Sequence, residues 1–248
     1  MQQIWPDHAV LDDQQLEELY TYPEKNRWLA VNFVSSADGA VEVGGRARRL
    51  SNPPDVKVLK LGSDLADVLL VGATTAMVEE FRGVHPDDAT LERRRRHGLR
   101  DVPPTAVVTT GKSLPADAPV IAEAATPTLV ITCAAAPLKK QKAWEEAGAE
   151  LIIAGEDTVD LAAAIEALSD RGLNRIDCEG GPHLFGGLLA AGVVDELRLT
   201  ISPLLVSGAH ERIATGVPLD LVDLELASVL AEGGAMLTRY LVRHGTGA

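Results

Sequence analysis

Short apolar runs alternate along this chain with stretches whose apolar residues recur every three or four positions. Runs rich in Val, Leu, Ile and Ala at 29–35, 67–72, 105–110, 127–132, 150–153 and 174–178 predict strands. Helical spacing fills 54–66, 137–147 and 158–171; in the last, Leu161, Ile165 and Leu168 make one apolar stripe. Leu11, Leu16, Leu19 and Tyr20 mark a short amphipathic helix near the N-terminus. Such alternation predicts an α/β fold, a mixed but mainly parallel sheet flanked by helices. Beyond residue 193 the pattern turns to strands at 194–201, 222–230 and 235–243, the last two joined by Glu232-Gly-Gly234. These are expected to be antiparallel strands on one edge of the sheet. Neither a repeat nor a linker interrupts the pattern. The expectation is one domain over 28–248, with residues 1–27 an extension packed on it.

Composition narrows the function classes. A length of 248 residues gives one large α/β domain a sizeable core. A formal net charge of −13 argues against nucleic acid or an anionic membrane surface as partner. No apolar stretch approaches the roughly 18 residues of a spanning helix, and the first residues lack a signal-peptide profile. Cys133 and Cys178 make no disulfide framework and have no metal-ligand spacing. A cytoplasmic protein acting on a small molecule, without a metal, is the expectation.

Candidate chemistry concentrates at strand ends, where open α/β sheets bind ligands. Cys178-Glu-Gly-Gly-Pro-His-Leu-Phe-Gly-Gly187 follows a strand and opens a helix. Glycines let a ligand approach the main chain, and the first helical turn offers unpaired N–H groups to a phosphate. Pro182 suits that turn because its missing N–H would be unpaired there. A tight turn that binds nothing has the same local pattern. Ser35-Ser-Ala-Asp-Gly39 is either a ligand edge or a plain Asp-Gly turn. Thr74 or Thr75, after Gly72, is a helix cap, a phosphate contact or both. The long excursion at 82–104 carries four arginines, Arg93 to Arg96. They read as a solvated helical face, with a 2′-phosphate site as the alternative.

Four segments occur together in register: Leu29 to Val41, Leu65 to Thr75, the Glu179-Gly-Gly turn and Gly192 to Pro203. In this order the chain resembles, over roughly 28–243, the reductase domain of riboflavin biosynthesis, the C-terminal half of the bacterial bifunctional deaminase/reductase. The resemblance implies a dihydrofolate-reductase-like fold, NADPH as cofactor and a homodimer. It also implies reduction of 5-amino-6-(5-phosphoribosylamino)uracil or its diamino precursor to a ribityl product. By the same resemblance Ser35, Gly72, Thr75, Glu79, Thr110, Gly180, Gly181, Pro182, His183, Leu184 and Phe185 border the cofactor. Asn32, Asp38, Arg82 and Glu179 border the substrate, with Asp38 and Glu179 as the catalytic pair. Asp38 would manage a proton, and Glu179 would accept hydrogen bonds from an aminopyrimidine edge.

Two departures from the family pattern bear on the substrate. Ser63 stands where an arginine is usual, and Glu80-Phe-Arg-Gly-Val-His-Pro86 replaces a phosphate-binding segment, leaving Arg82, Arg48 or Arg49 as substitutes. The zinc-deaminase signatures are missing, so a stand-alone reductase is expected. A pterin-type reductase of the same fold and a non-catalytic nucleotide-binding regulator remain alternatives.

Overall fold

The structure is a computed structural model that describes residues 1–243. Residues 244–248 of the expected domain lie outside the described residues. Along the chain run β1 (Gln2–Trp5), β2 (Ala9–Val10), α1 (Asp13–Tyr20), β3 (Trp28–Ser36), α2 (Pro53–Asp64), β4 (Val68–Gly72), α3 (Ala73–Val78) and α4 (Asp88–Arg96). Next come β5 (Thr105–Val108), α5 (Pro119–Ala122), β6 (Leu129–Thr132), α6 (Leu138–Glu146), β7 (Glu150–Ile153), α7 (Leu161–Ser169), β8 (Arg175–Cys178) and α8 (Pro182–Ala190). The described chain closes with β9 (Glu196–Ser202), β10 (Leu224–Glu232) and β11 (Ala235–Val242).

All these strands join one sheet in the order β2-β1-β10-β11-β9-β3-β8-β4-β5-β6-β7. From β9 to β7 every pairing is parallel. Helices cover both faces of that part, which is why its strands read as near-continuous apolar runs. On one face Val31, Leu70, Ile131 and Ile176 pack against Ile165 and Leu168 of α7 and Leu184, Phe185 and Leu188 of α8. On the other, Trp28, Ala30 and Leu237 meet Leu16 and Tyr20 of α1 and Val58 and Leu61 of α2.

The C-terminal strands differ from the expectation in two respects. β10 and β11 are antiparallel as expected, but β9 lies parallel to β3 in the middle of the sheet. It is reached from β8 through α8 by a crossover, the connection that makes parallel neighbours. Nor do β10 and β11 form the edge: β1 pairs with β10, and β2 with β1. The N-terminal extension is therefore part of the sheet.

The 82–104 excursion contains α4, capped by Asp87, whose carboxylate accepts the Thr90 N–H at 2.8 Å. Its arginine run is structural. Arg94 is 0% exposed and donates to the carbonyls of Asp64 and Ala66 at 2.9 Å and of Arg100 at 2.6 Å. It thereby satisfies carbonyls at the C-terminal end of α2, where a cation is favoured. Arg93 bridges Asp64 at 2.5 Å and Glu17 at 2.9 Å, tying α4 to α2 and α1. The solvated-face reading holds for Arg95 and Arg96, which are exposed, and fails for Arg94, which is buried.

Candidate active site

Strand alternation sorts the side chains of β3, β8 and β9 onto two faces. Apolar residues of these strands face α7 and α8. The opposite face carries Asn32 of β3, Asp177 and Glu179 on and just beyond β8, and Arg198, Thr200 and Ser202 of β9. Asn32 pairs in register with Arg198, and Val34 with Thr200. The first half of α2 stands over this polar floor, and between them opens a cavity of about 1750 Å³. Its wall continues past the carboxyl ends of β4, β5 and β8, with Gly72, Thr75, Thr110, Gly181 and Pro182 at that end.

At that end two strand termini are locked together. The Gly72 N–H donates to the Gly180 carbonyl at 2.8 Å, and the Glu179 N–H to the Leu70 carbonyl at 2.9 Å. Gly180 adopts φ +80°, a conformation that favours glycine, and a Cβ there would lie 3.0 Å from the Phe33 ring. A Cβ on Gly181 would lie 2.3 Å from the Thr75 hydroxyl. Gly181 opens α8 without a side-chain cap and is followed by Pro182, while Gly72 opens α3, also uncapped. The first N–H groups of both helices are therefore free to meet an anion at the glycine surface. These groups fit the phosphates of a dinucleotide.

The floor of the cavity holds a buried charged network. Glu196 accepts from Trp28 Nε1 and Arg198 Nε, each at 2.9 Å, and from Arg239 Nε at 2.6 Å. Despite burial, the two guanidiniums keep its carboxyl well below the usual range. Asp177 accepts from Asn32 Nδ2 at 2.6 Å and from the Tyr22 hydroxyl at 3.1 Å. Burial raises its pKa to about 6 against the opposing charge of Arg198. Glu179 has no side-chain hydrogen bond among the described residues, and burial, then the charge of Asp177, raises its pKa to about 8. A carboxyl that keeps its proton near neutrality and faces a cavity is suited to general acid work.

Most of the expected residues converge here. Asn32, Gly72, Thr75, Glu79, Thr110, Glu179, Gly181, Pro182, His183 and Leu184 all line the cavity. Glu79 also accepts the Ala47 N–H at 2.8 Å, tethering the loop that carries Arg48. Gly180 and Phe185 support the wall from behind, the Phe185 ring 5.4 Å from that of Phe33. Neither Thr74 nor Thr75 caps a helix, since the N-cap of α3 is Gly72.

Besides Gly180 and Phe185, three expected residues are not in the wall. Ser35 is buried beside it. Asp38 is exposed and accepts from the Ser36 hydroxyl at 2.5 Å and from the Ser207 and Val206 N–H groups. Those bonds lower its pKa to about 2, so it is ionised near neutrality and has no proton to give. Arg82 is exposed and paired with Glu123 at 2.9 Å. Arg48, by contrast, lines the cavity and has no ion pair among the described residues. Asp55, Asp177 and Arg198 also belong to the site and were not anticipated. The clue to Arg198 was its position among apolar neighbours in a strand; Asp55 had the pattern of an ordinary first-turn helix acid.

Sequence comparison agrees with this geometry. The model of the RibD C-terminal domain matches residues 27–238. The chain belongs to the RibD C-terminal domain family. Among its relatives, the 2,5-diamino-6-ribosylamino-4(3H)-pyrimidinone 5′-phosphate reductase of Archaeoglobus fulgidus is 28% identical over 182 residues, 73% of this chain and 82% of that one. The protein of the same name from Methanothermobacter thermautotrophicus is 27% identical over 222 residues, 87% of this chain and 98% of its own. Among solved structures, a pyrimidine reductase-like protein of Corynebacterium diphtheriae superposes with TM-score 0.82 at 22% identity, covering 93% of this chain and 99% of that one. No helix among the described residues is long and apolar enough to cross a membrane.

Proposed function

We propose that this RibD-family chain is an NADPH-dependent reductase of a ribosylaminopyrimidine 5′-phosphate in riboflavin biosynthesis, working in the cytoplasm. The observation that carries the reading is the single cavity that joins an uncapped glycine cradle to the carboxyl of Glu179. The names of the relatives add the substrate class. NADPH, when bound, supplies hydride. Gly72, Gly181 and the first turn of α8 would hold its phosphates, with Thr75 and Thr110 beside them. Reduction of the ribosyl carbon adds hydride to C1′ and a proton to the departing ring oxygen. Glu179 provides that proton, and Asn32, fixed by its bond to Asp177, keeps its own carbonyl oxygen available to the substrate.

Arg48 takes the 5′-phosphate in place of the missing family arginines. Arg48→Ala is expected to raise KM about tenfold or more with a smaller change in kcat, because a charge-assisted bond to phosphate is lost. Arg82→Ala should leave both unchanged. The decisive assay follows nicotinamide absorbance with the diaminopyrimidinone ribosyl phosphate, its uracil counterpart and dihydrofolate. Turnover of dihydrofolate alone would move the chain to the pterin-type reading.

The same reading includes a homodimer. Val194 and Leu197, near and on β9, are buried within the subunit and offer no interface. Exposed apolar residues lie instead at Leu205, Val217, Leu219, Leu221, Leu224 and Leu226. Exposed apolar residues in such number favour burial against a copy. Light scattering should give about twice 26.3 kDa at micromolar concentration, and Leu221→Glu should shift it to the monomer. A monomeric wild type would remove the dimer from the proposal.

A further inference from the structure

The charge network under the cavity is completed by a residue that stands outside the family's matched segment. Tyr22 lies between α1 and β3, ahead of residues 27–238, and is buried. Its hydroxyl donates to Asp177 Oδ1 at 3.1 Å. Its ring packs against the Arg198 guanidinium, 4.8 Å from ring centroid to Cζ, and the Tyr20 ring meets the same group at 5.2 Å. The N-terminal segment therefore touches the buried charges directly.

Asp177 is completely buried, and its Oδ1 also accepts from Asn32 Nδ2 at 2.6 Å. An ionised carboxylate can only accept, so it holds the Asn32 amide with the nitrogen inward. Asn32 is half-buried where it lines the cavity, and its Oδ1 accepts no hydrogen bond among the described residues. The polar atom that Asn32 offers to a ligand is therefore an acceptor. α2 closes tightly on this arrangement: a Cβ on Gly62 would lie 2.8 Å from Arg198 Nη1 and 3.1 Å from Asp177 Oδ1.

Without the Tyr22 hydroxyl, Asn32 is the one hydrogen-bond donor left to Asp177 among the described residues. The charged groups around Asp177 are Arg198 and Glu196 of β9 and Glu179 beyond β8, and Arg198 Nη1 is 3.9 Å away. A buried carboxyl with fewer donors takes up a proton more readily. Once protonated it has an O–H to give, and the amide can turn its oxygen inward and its nitrogen to the cavity. The site would then present a donor where it had an acceptor.

We propose that Tyr22 is a positioning residue for the reductase, fixing through Asp177 the Asn32 amide so that its oxygen meets an N–H or O–H of the substrate. The assignment rests on the reductase reading and extends its site to the N-terminal segment. Burial pushes the pKa of the Tyr22 hydroxyl up, so it remains a donor at any pH at which the enzyme works. Burial also raises Asp177 to about 6 against the opposing charge of Arg198, near enough to neutrality for one lost donor to matter.

Tyr22→Phe tests it, because the ring stays against Arg198 and only the hydroxyl is removed. Near neutral pH kcat/KM is expected to fall about tenfold, with its acid limb moved to higher pH. NADPH affinity should be unchanged. Added to Asn32→Ala, Tyr22→Phe should cost less than about twofold more, since its effect passes through the amide. A purely structural role predicts losses that multiply. Asp177→Asn keeps an oxygen for both donors but has no proton to take up; it should lack the acid limb, and it serves if Tyr22→Phe does not fold. The side-chain amide resonances of Asn32 read the same hold without substrate, and their titration midpoint should rise in Tyr22→Phe. An unmoved midpoint, multiplying losses, or an acid limb that survives in Asp177→Asn overturns the proposal. If wild type turns over none of the pyrimidines while the midpoint still moves, the hold on Asn32 stands and the reductase reading falls.

Discussion

Glu179→Gln is expected to lose turnover and, near neutral pH, to unfold at a higher temperature than wild type. The two effects have one cause. Burial and the neighbouring charge of Asp177 raise the Glu179 pKa from 4.5 to about 8. In the unfolded chain that carboxyl ionises as pH rises above 4.5, whereas the folded protein keeps the proton until about 8. The folded state therefore binds more protons between these values, and stability falls as pH rises across the window. At about 1.4 kcal/mol per pKa unit, the loss reaches a few kcal/mol at the alkaline end. Glutamine has nothing to ionise and escapes it. Melting curves of the two proteins should converge below pH 4.5 and separate progressively toward pH 8. Turnover moves the other way, because the amide cannot pass a proton to the sugar oxygen, and kcat should fall at least ten- to a hundredfold. NADPH affinity should be retained. Wild-type turnover in this variant, or melting curves parallel at every pH, would remove Glu179 from the acid role.

How far the sequence carried this picture depended on whether the information was local. The parallel strands were legible because each is buried on both faces and so has to be apolar along its length. The glycine turn was legible because Gly180 needs a positive φ and Gly181 needs an absent Cβ, and both demands fall on adjacent residues. β1 was not legible, since Gln2-Gln-Ile-Trp5 has no strand pattern and is recruited by pairing with β10. The position of β9 was not either, because a strand with alternating polar residues reads as an edge. Its polar side faces the cavity rather than solvent: Arg198, Thr200 and Ser202 are the floor of the site.

The same distinction explains the misplaced residues. Asp38 sits in a motif that the family brings near its ligands, yet here the carboxylate is engaged by the 206–207 backbone, contacts made across more than 160 positions of sequence. Arg82 and Arg48 are indistinguishable as letters. Only the fold gives Arg82 a carboxylate, Glu123, and leaves Arg48 beside the cavity. The four arginines of α4 are a charge run in sequence. In the fold they divide into a buried carbonyl clamp, a bridge between helices and two surface residues.

Gly181→Ala is expected to abolish measurable NADPH binding, and its partner substitution distinguishes two reasons for that loss. The new Cβ would stand 2.3 Å from the Thr75 hydroxyl, so α3 or the start of α8 has to move. That displacement alone costs stability, typically about 1–3 kcal/mol for overpacking. It would also disturb the cradle indirectly. The added methyl has a second consequence, because it lies on the glycine surface that a phosphate would approach. Thr75→Ala removes the oxygen that collides, and the Thr75 Cβ, 3.7 Å away, is an ordinary contact. The double variant Thr75→Ala/Gly181→Ala should therefore regain the melting temperature of Thr75→Ala alone. If the cradle holds the cofactor through close approach of the main chain, nicotinamide fluorescence titration should still find no binding in the double variant. Thr75→Ala by itself should weaken NADPH only severalfold, the loss of one neutral hydrogen bond of about 1 kcal/mol. Recovery of affinity together with stability in the double variant would mean that Gly181 exists to make room for Thr75, and the phosphate cradle would have to be sought elsewhere along the cavity wall.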